Sequence, residues 1–308
     1  MITSKLRRRN GRLEMDQAVN DFWVATRAIL DETPVNATLT ECPEYSGREY
    51  ETWNVTLSSY GGQRLRALYT TPRHGNASGK YPAMLAVPGY GGGKEIPYHV
   101  VMHGFAVLTL YPRAQGESIP EWDLPEGTNK LTYNVTDKDT YYYRAGYMDC
   151  VRGVDFLAER DEVDSDRIGM WSRSQGGGFT LSTAALDQRL AAAVAEEPFM
   201  CNYPVAIDIE TRPYHELSTY VQEHPEQRQA MLDTLHYFDT MTLADAIECP
   251  ILVNTGMADT TCPYDTIMPV FDRIRAHKSL LVYPDLPHSP CTDFNVHAMN
   301  WLKRYLGN

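Results

Sequence analysis

Ser174 lies in Trp171-Ser172-Arg173-Ser174-Gln175-Gly176-Gly177-Gly178, where the apolar run 168–171 meets a stretch of small residues. A serine presented on a sharp strand-to-helix turn needs small residues two places to either side, because bulk there collides with the neighbouring strand or helix. Ser172 and Gly176 meet that need, with serine in the leading place usually held by glycine. The plainer reading is a glycine-rich turn that only starts a helix. A serine hydroxyl is a poor nucleophile until a base takes its proton, and the base must be held in one tautomer by a carboxylate. The order expected along the chain is serine, acid, histidine. Asp259 directly follows the apolar run 251–254, and His288 directly follows 280–283. Asp259 could instead cap the helix that begins near Pro263, and His288 could be a surface loop histidine. Three strand-end positions in the right order favour the acyl-transfer reading.

Acyl transfer also needs backbone N–H groups aimed at the developing oxyanion, one from the residue after the nucleophile and one from the loop after the third strand. Those are Gln175 and Tyr90, the latter in Pro88-Gly89-Tyr90-Gly91-Gly92-Gly93. Taken alone this glycine cluster would also suit a phosphate, but it lacks the Gly-Lys-Ser/Thr ending and the Gly-x-Gly-x-x-Gly context of phosphate-binding loops. His99 and His103 share helical spacing, yet no glutamate follows His99, so a metalloprotease helix is not indicated.

The elements that must position these residues are legible in the hydropathy pattern. A helical stretch surrounds Asp21-Phe22-Trp23, and residues 50–60 and 63–71 alternate in polarity around Gly61-Gly62, which predicts an antiparallel hairpin. Short continuous apolar runs follow at 83–88, 105–110, 168–171, 190–195, 251–254 and 280–283. Runs of this kind suit strands buried on both faces of a parallel sheet. Stretches 140–160, 176–186, 264–277 and 293–306 carry apolar residues at three- and four-residue spacing and predict helices. The expected architecture is a single α/β domain over 1–308, three-layered, with a mainly parallel sheet and helices on both faces. Between residues 199 and 248 the alternation lapses, and 212–246 is polar and helical in composition. It is expected to be a helical cap over the C-terminal strand ends, where ligands bind in open parallel sheets.

With 308 residues and 43% hydrophobic content, the chain can fill a large core. Forty acidic against 28 basic side chains give a net charge of -12, which argues against nucleic acid and anionic membranes as partners. The basic run 5–12 is expected to be a solvated tail. No apolar run suits a signal peptide or a membrane span, so a cytoplasmic location is expected. The six cysteines contain no Cys-x-x-Cys pair, and free thiols are expected rather than a zinc site or a disulfide framework. Without secretion, the sequons at Asn36, Asn54, Asn76 and Asn134 are chance matches.

The chain resembles carbohydrate esterase family 7, the acetyl xylan esterases and cephalosporin-C deacetylases of the α/β-hydrolase superfamily. The likeness runs from Asp21-Phe22-Trp23 to the C-terminal helix and includes Gly89-Tyr90-Gly91-Gly92, Arg113-Ala114-Gln115-Gly116-Glu117-Ser118 and Tyr141-Tyr142-Tyr143-Arg144 with Asp149 and Val151-Arg152. It continues through Ser174-Gln175-Gly176-Gly177-Gly178, Tyr237-Phe238-Asp239 and Asp259-Thr260-Thr261-Cys262-Pro263. The resemblance implies a metal-free, cofactor-free deacetylase of small esters such as acetylated xylooligosaccharides. It would use Ser174, Asp259 and His288, with Tyr90 and Gln175 as oxyanion donors. It also implies a ring-like homohexamer whose sites face an internal cavity. The chain departs from the family in having His288-Ser289 for His-Glu, and Ala114 where the family's Arg-Gly-Gln-Gly has glycine. Arg113, Gln115 and Gly116 are expected to brace the loops beneath the site rather than touch substrate. Two rivals differ in class. One is a serine aminopeptidase of prolyl-oligopeptidase type, which would normally carry a β-propeller for which this chain has no room. The other is a non-catalytic α/β-hydrolase that binds a ligand without turnover.

Overall fold

The computed structural model describes residues 16–74, 79–93 and 95–307, together with the backbone of Arg8–Arg9 and Arg12–Leu13. Most of the basic run 5–12 and the sequon at Asn76 lie outside the described residues. Nine strands form one sheet: β1 (Thr38–Glu41), β2 (Tyr50–Ser58), β3 (Arg64–Pro72), β4 (Tyr81–Ala86), β5 (Ala106–Tyr111), β6 (Val163–Arg173), β7 (Leu190–Glu196), β8 (Ile251–Gly256) and β9 (Lys278–Tyr283). Their spatial order is β9-β8-β7-β6-β4-β5-β3-β2-β1. The six strands β4 to β9 run parallel to one another, and β3, β2 and β1 join them through antiparallel pairs. The helices of eight residues or more are α1 (Gln17–Asp31), α2 (Tyr142–Ala158), α3 (Gln175–Leu186), α4 (His215–Glu223), α5 (Arg228–Leu235), α6 (Tyr264–Arg273) and α7 (Thr292–Leu306).

Successive side chains of a strand point to opposite faces, and the central strands bury both. Ala83 and Leu85 of β4, and Ala106, Leu108 and Leu110 of β5, join the core that also takes residues of α1, α2, α3 and α6. Met84, Ala86 and Val107 point the other way, into a second core closed by Val100 and Val101 and by Phe294, Ala298, Leu302 and Leu306 of α7. The sheet therefore has helices on both faces, as the continuous apolar runs require. On the first face, Trp23 of α1 stacks on Tyr147 of α2 with ring centroids 5.4 Å apart. The Trp23 Nε1–H also reaches the Tyr237 carbonyl at 3.0 Å. The burial of Val19, Phe22, Trp23, Thr26 and Leu30 on one stripe explains why α1 forms, and Asp16 caps it by accepting the Ala18 N–H.

Three details depart from the sequence reading. A further edge strand, β1, precedes the expected hairpin. Its Thr-Leu-Thr-Glu sequence is mostly exposed, so it offers no buried alternation to detect. β9 was expected to be buried on both faces, but it is the opposite edge and most of it is only half-buried. The helix expected over 264–277 ends at Arg273, where Ile274 turns to extended backbone ahead of β9.

Between β7 and β8 the chain forms α4, α5 and two single turns, Tyr203–Ala206 and Thr240–Leu243. This segment reaches the loops at the strand ends on two sides. The Tyr90 hydroxyl donates to Glu216 of α4, and the Thr211 hydroxyl donates to the carbonyl of Thr260. Among the described residues, no helix is long and apolar enough to cross a membrane. All six cysteines are free thiols, five of them buried.

Candidate active site

Ser174 sits between β6 and α3 with φ 60° and ψ -123°. A serine pays for that backbone conformation, a cost of order 1–3 kcal/mol that only surrounding structure can hold in place. Three backbone bonds do so. Ser174 N–H donates to the Glu196 carbonyl at 2.9 Å, and the Ser174 carbonyl accepts from Phe199 N at 2.9 Å and Gly178 N at 3.0 Å. The glycines after it are needed for space. A Cβ on Gly176 would lie 2.6 Å from Ser172 Cβ, one on Gly177 2.7 Å from the Glu196 carbonyl, and one on Gly178 2.2 Å from the Phe199 carbonyl. Ser172 itself is accommodated because its hydroxyl is used: it accepts from Val87 N at 2.9 Å and donates to the Trp171 carbonyl at 2.7 Å, tying β6 to the end of β4.

These contacts yield a stability prediction. Gly178→Ala forces a Cβ into backbone that cannot swing aside, so it is expected to destabilise the chain by about 2–3 kcal/mol, read as a lowered denaturant midpoint at unchanged slope.

Asp259 and His288 leave the sheet after β8 and β9, and the structure brings them together: His288 Nδ1 lies 2.8 Å from Asp259 Oδ2. The other carboxylate oxygen, Oδ1, accepts the N–H groups of Thr261 and Cys262, both at 2.8 Å. Asp259 is 4% exposed, so its charge is held by directed hydrogen bonds rather than by water. With Nδ1 committed to the carboxylate, the other ring nitrogen is free to act as a base. Ser174 Oγ makes no hydrogen bond to His288 among the described residues. Such contacts often tighten only when substrate is bound.

Asp259, Cys262 and His288 are a group of three potential ligand residues whose atoms lie within 4.8 Å of one another. Their chemistry does not suit a metal. Both Asp259 oxygens are already engaged, and burial pushes the Cys262 thiol well up, so the thiolate a metal needs is disfavoured.

Gln175 follows Ser174 directly, and the loop carrying Tyr90 comes close to it, since a Cβ on Gly89 would lie 3.7 Å from Ser174 Cβ. Gln175 opens α3, so its N–H belongs to the first turn, which has no intrahelical acceptor. Its side-chain oxygen accepts from the buried Tyr143 hydroxyl at 2.8 Å. The Tyr90 ring is gripped by Lys130, 4.4 Å from its centroid, and by Glu216 at its hydroxyl. The loop carrying Tyr90 rests on the segment that begins at Arg113. Gln115 Nε2 donates to the Gly89 carbonyl at 3.1 Å. Gly116 has φ 45°, and a Cβ there would lie 2.3 Å from the Tyr111 ring and 2.8 Å from the Gly92 carbonyl. Arg113 points away from the cleft. Its N–H and Nε donate to Asp149 Oδ2 at 3.0 and 2.8 Å, and Nη2 donates to Asp149 Oδ1 at 2.8 Å. Ala114, in the position of the family's glycine, takes a left-handed φ of 54°.

A cleft of about 490 Å³ opens beside Ser174, bounded by Gly89, Gly92, His99, Trp171 and Arg173. That volume suits a small molecule. Two residues here escaped the sequence reading. Cys262 is wholly buried between Asp259 and Ser174. Glu197, which follows the last residue of β7, places Oε2 3.4 Å from His288 Nδ1 and 3.4 Å from Arg173 Nη1. Burial, and after it the Asp259 charge, pushes the Glu197 carboxyl up to about 7 against the opposing pull of His288 and Arg173. The Glu196-Glu197 pair that ends the apolar run Leu190-Ala191-Ala192-Ala193-Val194-Ala195 was the available signal.

Residues 1–305 match the family described as acetyl xylan esterase (AXE1). The chain belongs to the acetyl xylan esterase family. Acetyl esterase Axe7A of Xylanibacter ruminicola is 26% identical over 306 residues, covering 94% of this chain and 67% of that esterase. The 2,6-dihydropseudooxynicotine hydrolase of Paenarthrobacter nicotinovorans is 26% identical over 216 residues, but the matched region spans only 53% of it. Among solved structures, the acetyl xylan esterase from Paenibacillus sp. R4 superposes with a TM-score of 0.88 at 28% identity, covering 96% of this chain and 97% of that one. Acetyl xylan esterase 1 from Thermoanaerobacterium sp. JW/SL YS485, at 24% identity and a TM-score of 0.86 over 99% of both chains, shares the fold. As a member of the acetyl xylan esterase family, the protein is a carboxylic ester hydrolase of α/β-hydrolase fold, and its substrate is a small or acetylated ester.

Proposed function

We propose that this esterase removes acetyl groups from small substrates such as acetylated xylooligosaccharides by two-step acyl transfer through Ser174. The observation that supports this most is the strained backbone of Ser174 at a strand end, with the His288–Asp259 pair at 2.8 Å across the same edge of the sheet. In this reading His288 Nε2 takes the Ser174 proton as Oγ attacks the acetyl carbonyl. The oxyanion is met by the N–H groups of Tyr90 and Gln175, donors worth on the order of 10²–10³ each in rate. His288 then returns the proton to the departing sugar oxygen, and a water deprotonated by His288 releases acetate from the acyl-serine. Asp259 keeps Nδ1 protonated throughout. The ring-like homohexamer implied by the family resemblance belongs to the same proposal, and its internal cavity would favour short oligosaccharides.

The test is a comparison of hydrolysis rates for acetylated xylooligosaccharides, p-nitrophenyl acetate, longer p-nitrophenyl esters and an aminoacyl-p-nitroanilide. Acetyl esters are expected to be cleaved fastest, with acetate released stoichiometrically. Faster cleavage of the anilide would replace this reading with an aminopeptidase.

A further inference from the structure

We propose that Glu197 is a second acidic partner of His288, a positioning residue that shares the Nδ1–H with Asp259 and sets the pH range in which His288 acts as a base. The proposal rests on the acyl-transfer reading above and assigns a role beyond its three residues.

The geometry is specific. The Glu197 side chain is completely buried, and its Oε2 lies 3.4 Å from His288 Nδ1, on which Asp259 Oδ2 also converges at 2.8 Å. Its position is imposed by the fold. Glu197 takes a left-handed φ of 42°, and its N–H is fixed by Asn254 Oδ1 of β8 at 2.8 Å. A glutamate in that conformation is strained, and strain of this kind is retained only where the surroundings over-determine it. The turn is one of three left-handed non-glycine positions in a row of six, with Met200 and Asn202. Asp239 anchors the last of these, accepting the N–H groups of Asn202 and Tyr203, both at 2.8 Å. Glu197 is thus fixed by β8 at its own N–H, and the far end of its turn by Asp239.

A buried carboxyl whose second oxygen, Oε1, has no hydrogen-bond partner is costly for structure alone. The groups facing it are His288, Asp259, Arg173, Glu196 and Cys262. Of these, Arg173 at 3.4 Å is the positive charge that offsets it, and it comes from the residue next to Ser174. When Glu197 is ionised it favours the imidazolium, and when it is protonated it leaves Asp259 as the sole charged partner. At 3.4 Å the Glu197 and His288 side chains interact directly, so in this role the acid limb of the rate profile belongs to the pair rather than to the histidine alone.

The experiment measures kcat and KM for p-nitrophenyl acetate from pH 5 to 9 with wild type, Glu197→Gln, Asp259→Asn, the double variant and Ser174→Ala. Glu197→Gln removes a negative charge beside Nδ1, so the acid limb is expected to move about one pH unit lower, in kcat rather than KM. Asp259→Asn is expected to lose about 10²-fold because a carboxylate remains at Nδ1, and the double variant to approach the ~10⁴-fold loss of a histidine with no acidic partner. An unmoved acid limb in Glu197→Gln, or a double variant no slower than Asp259→Asn, overturns the proposal. If Glu197→Gln is recovered unfolded, the titration of the His288 Cε1 proton by NMR, assigned with His288→Gln, decides: two coupled steps support the pair, and a single step overturns it. Activity surviving in Ser174→Ala would instead overturn the acyl-transfer reading.

Discussion

Ser174→Ala is expected to lower kcat for p-nitrophenyl acetate by on the order of 10⁶-fold, because in the proposed mechanism it removes the nucleophile, and losing a nucleophile removes as much rate as losing the whole machinery that serves it. Folding should be untouched. The backbone at φ 60° is held by bonds to Glu196, Phe199 and Gly178 that involve only main-chain atoms of residue 174, so alanine inherits the same conformation. The two expectations are checked together, by esterase assay and by a melting temperature within about a degree of wild type, a shift that corresponds to only a few tenths of a kcal/mol in a chain of this size. A variant that retains more than a trace of activity would place the nucleophile elsewhere. Labelling with a fluorophosphonate adds a second check, since wild type should take up one probe at Ser174 and the variant none.

Asp149→Ala is the substitution expected to cost the most stability. The carboxylate is completely buried on α2 and accepts four hydrogen bonds, from Ser59 Oγ at 2.6 Å and from the N–H, Nε and Nη2 of Arg113 at 2.8–3.0 Å. Alanine would leave the Arg113 guanidinium, 12% exposed, without its counter-charge. Breaking a buried pair from one side costs about 3–5 kcal/mol. For a chain of this length that is a fall of roughly 10 °C in melting temperature. Activity is expected to fall as well, below the melting range, because Arg113 anchors the segment whose Gln115 holds the Gly89 carbonyl beside Tyr90. A variant that melts as wild type would show that the pair only marks the place of the loop and does not hold it.

Neither prediction could be sized from the sequence. The spacing around Arg113, Gln115 and Gly116 suggested bracing, but Asp149 lies 36 residues along the chain from Arg113, and only the packing of α2 under the strand ends brings it to the guanidinium. The edge strand β1 shows the same limit in the fold. A short strand with one partner and little buried surface leaves almost no hydrophobic trace, whereas the strands covered on both faces announce themselves as apolar runs.

What the sequence determined by itself is the set of local conformations: which apolar runs become parallel strands, where helices start after them, and that Ser174, Asp259 and His288 stand at strand ends in chain order. These follow from periodicity and small-residue spacing, which act over a few residues. The tertiary structure alone decided which distant groups meet. It placed Glu197 beside His288, gave the Ser172 hydroxyl a use at Val87 and set Cys262 between Asp259 and Ser174. The physical reason is that strand neighbours β6, β7, β8 and β9 bring together residues from 174 to 288 whose mutual distances no local pattern encodes, and the turn after β7 aims a glutamate inward through backbone strain that only the surrounding contacts can hold.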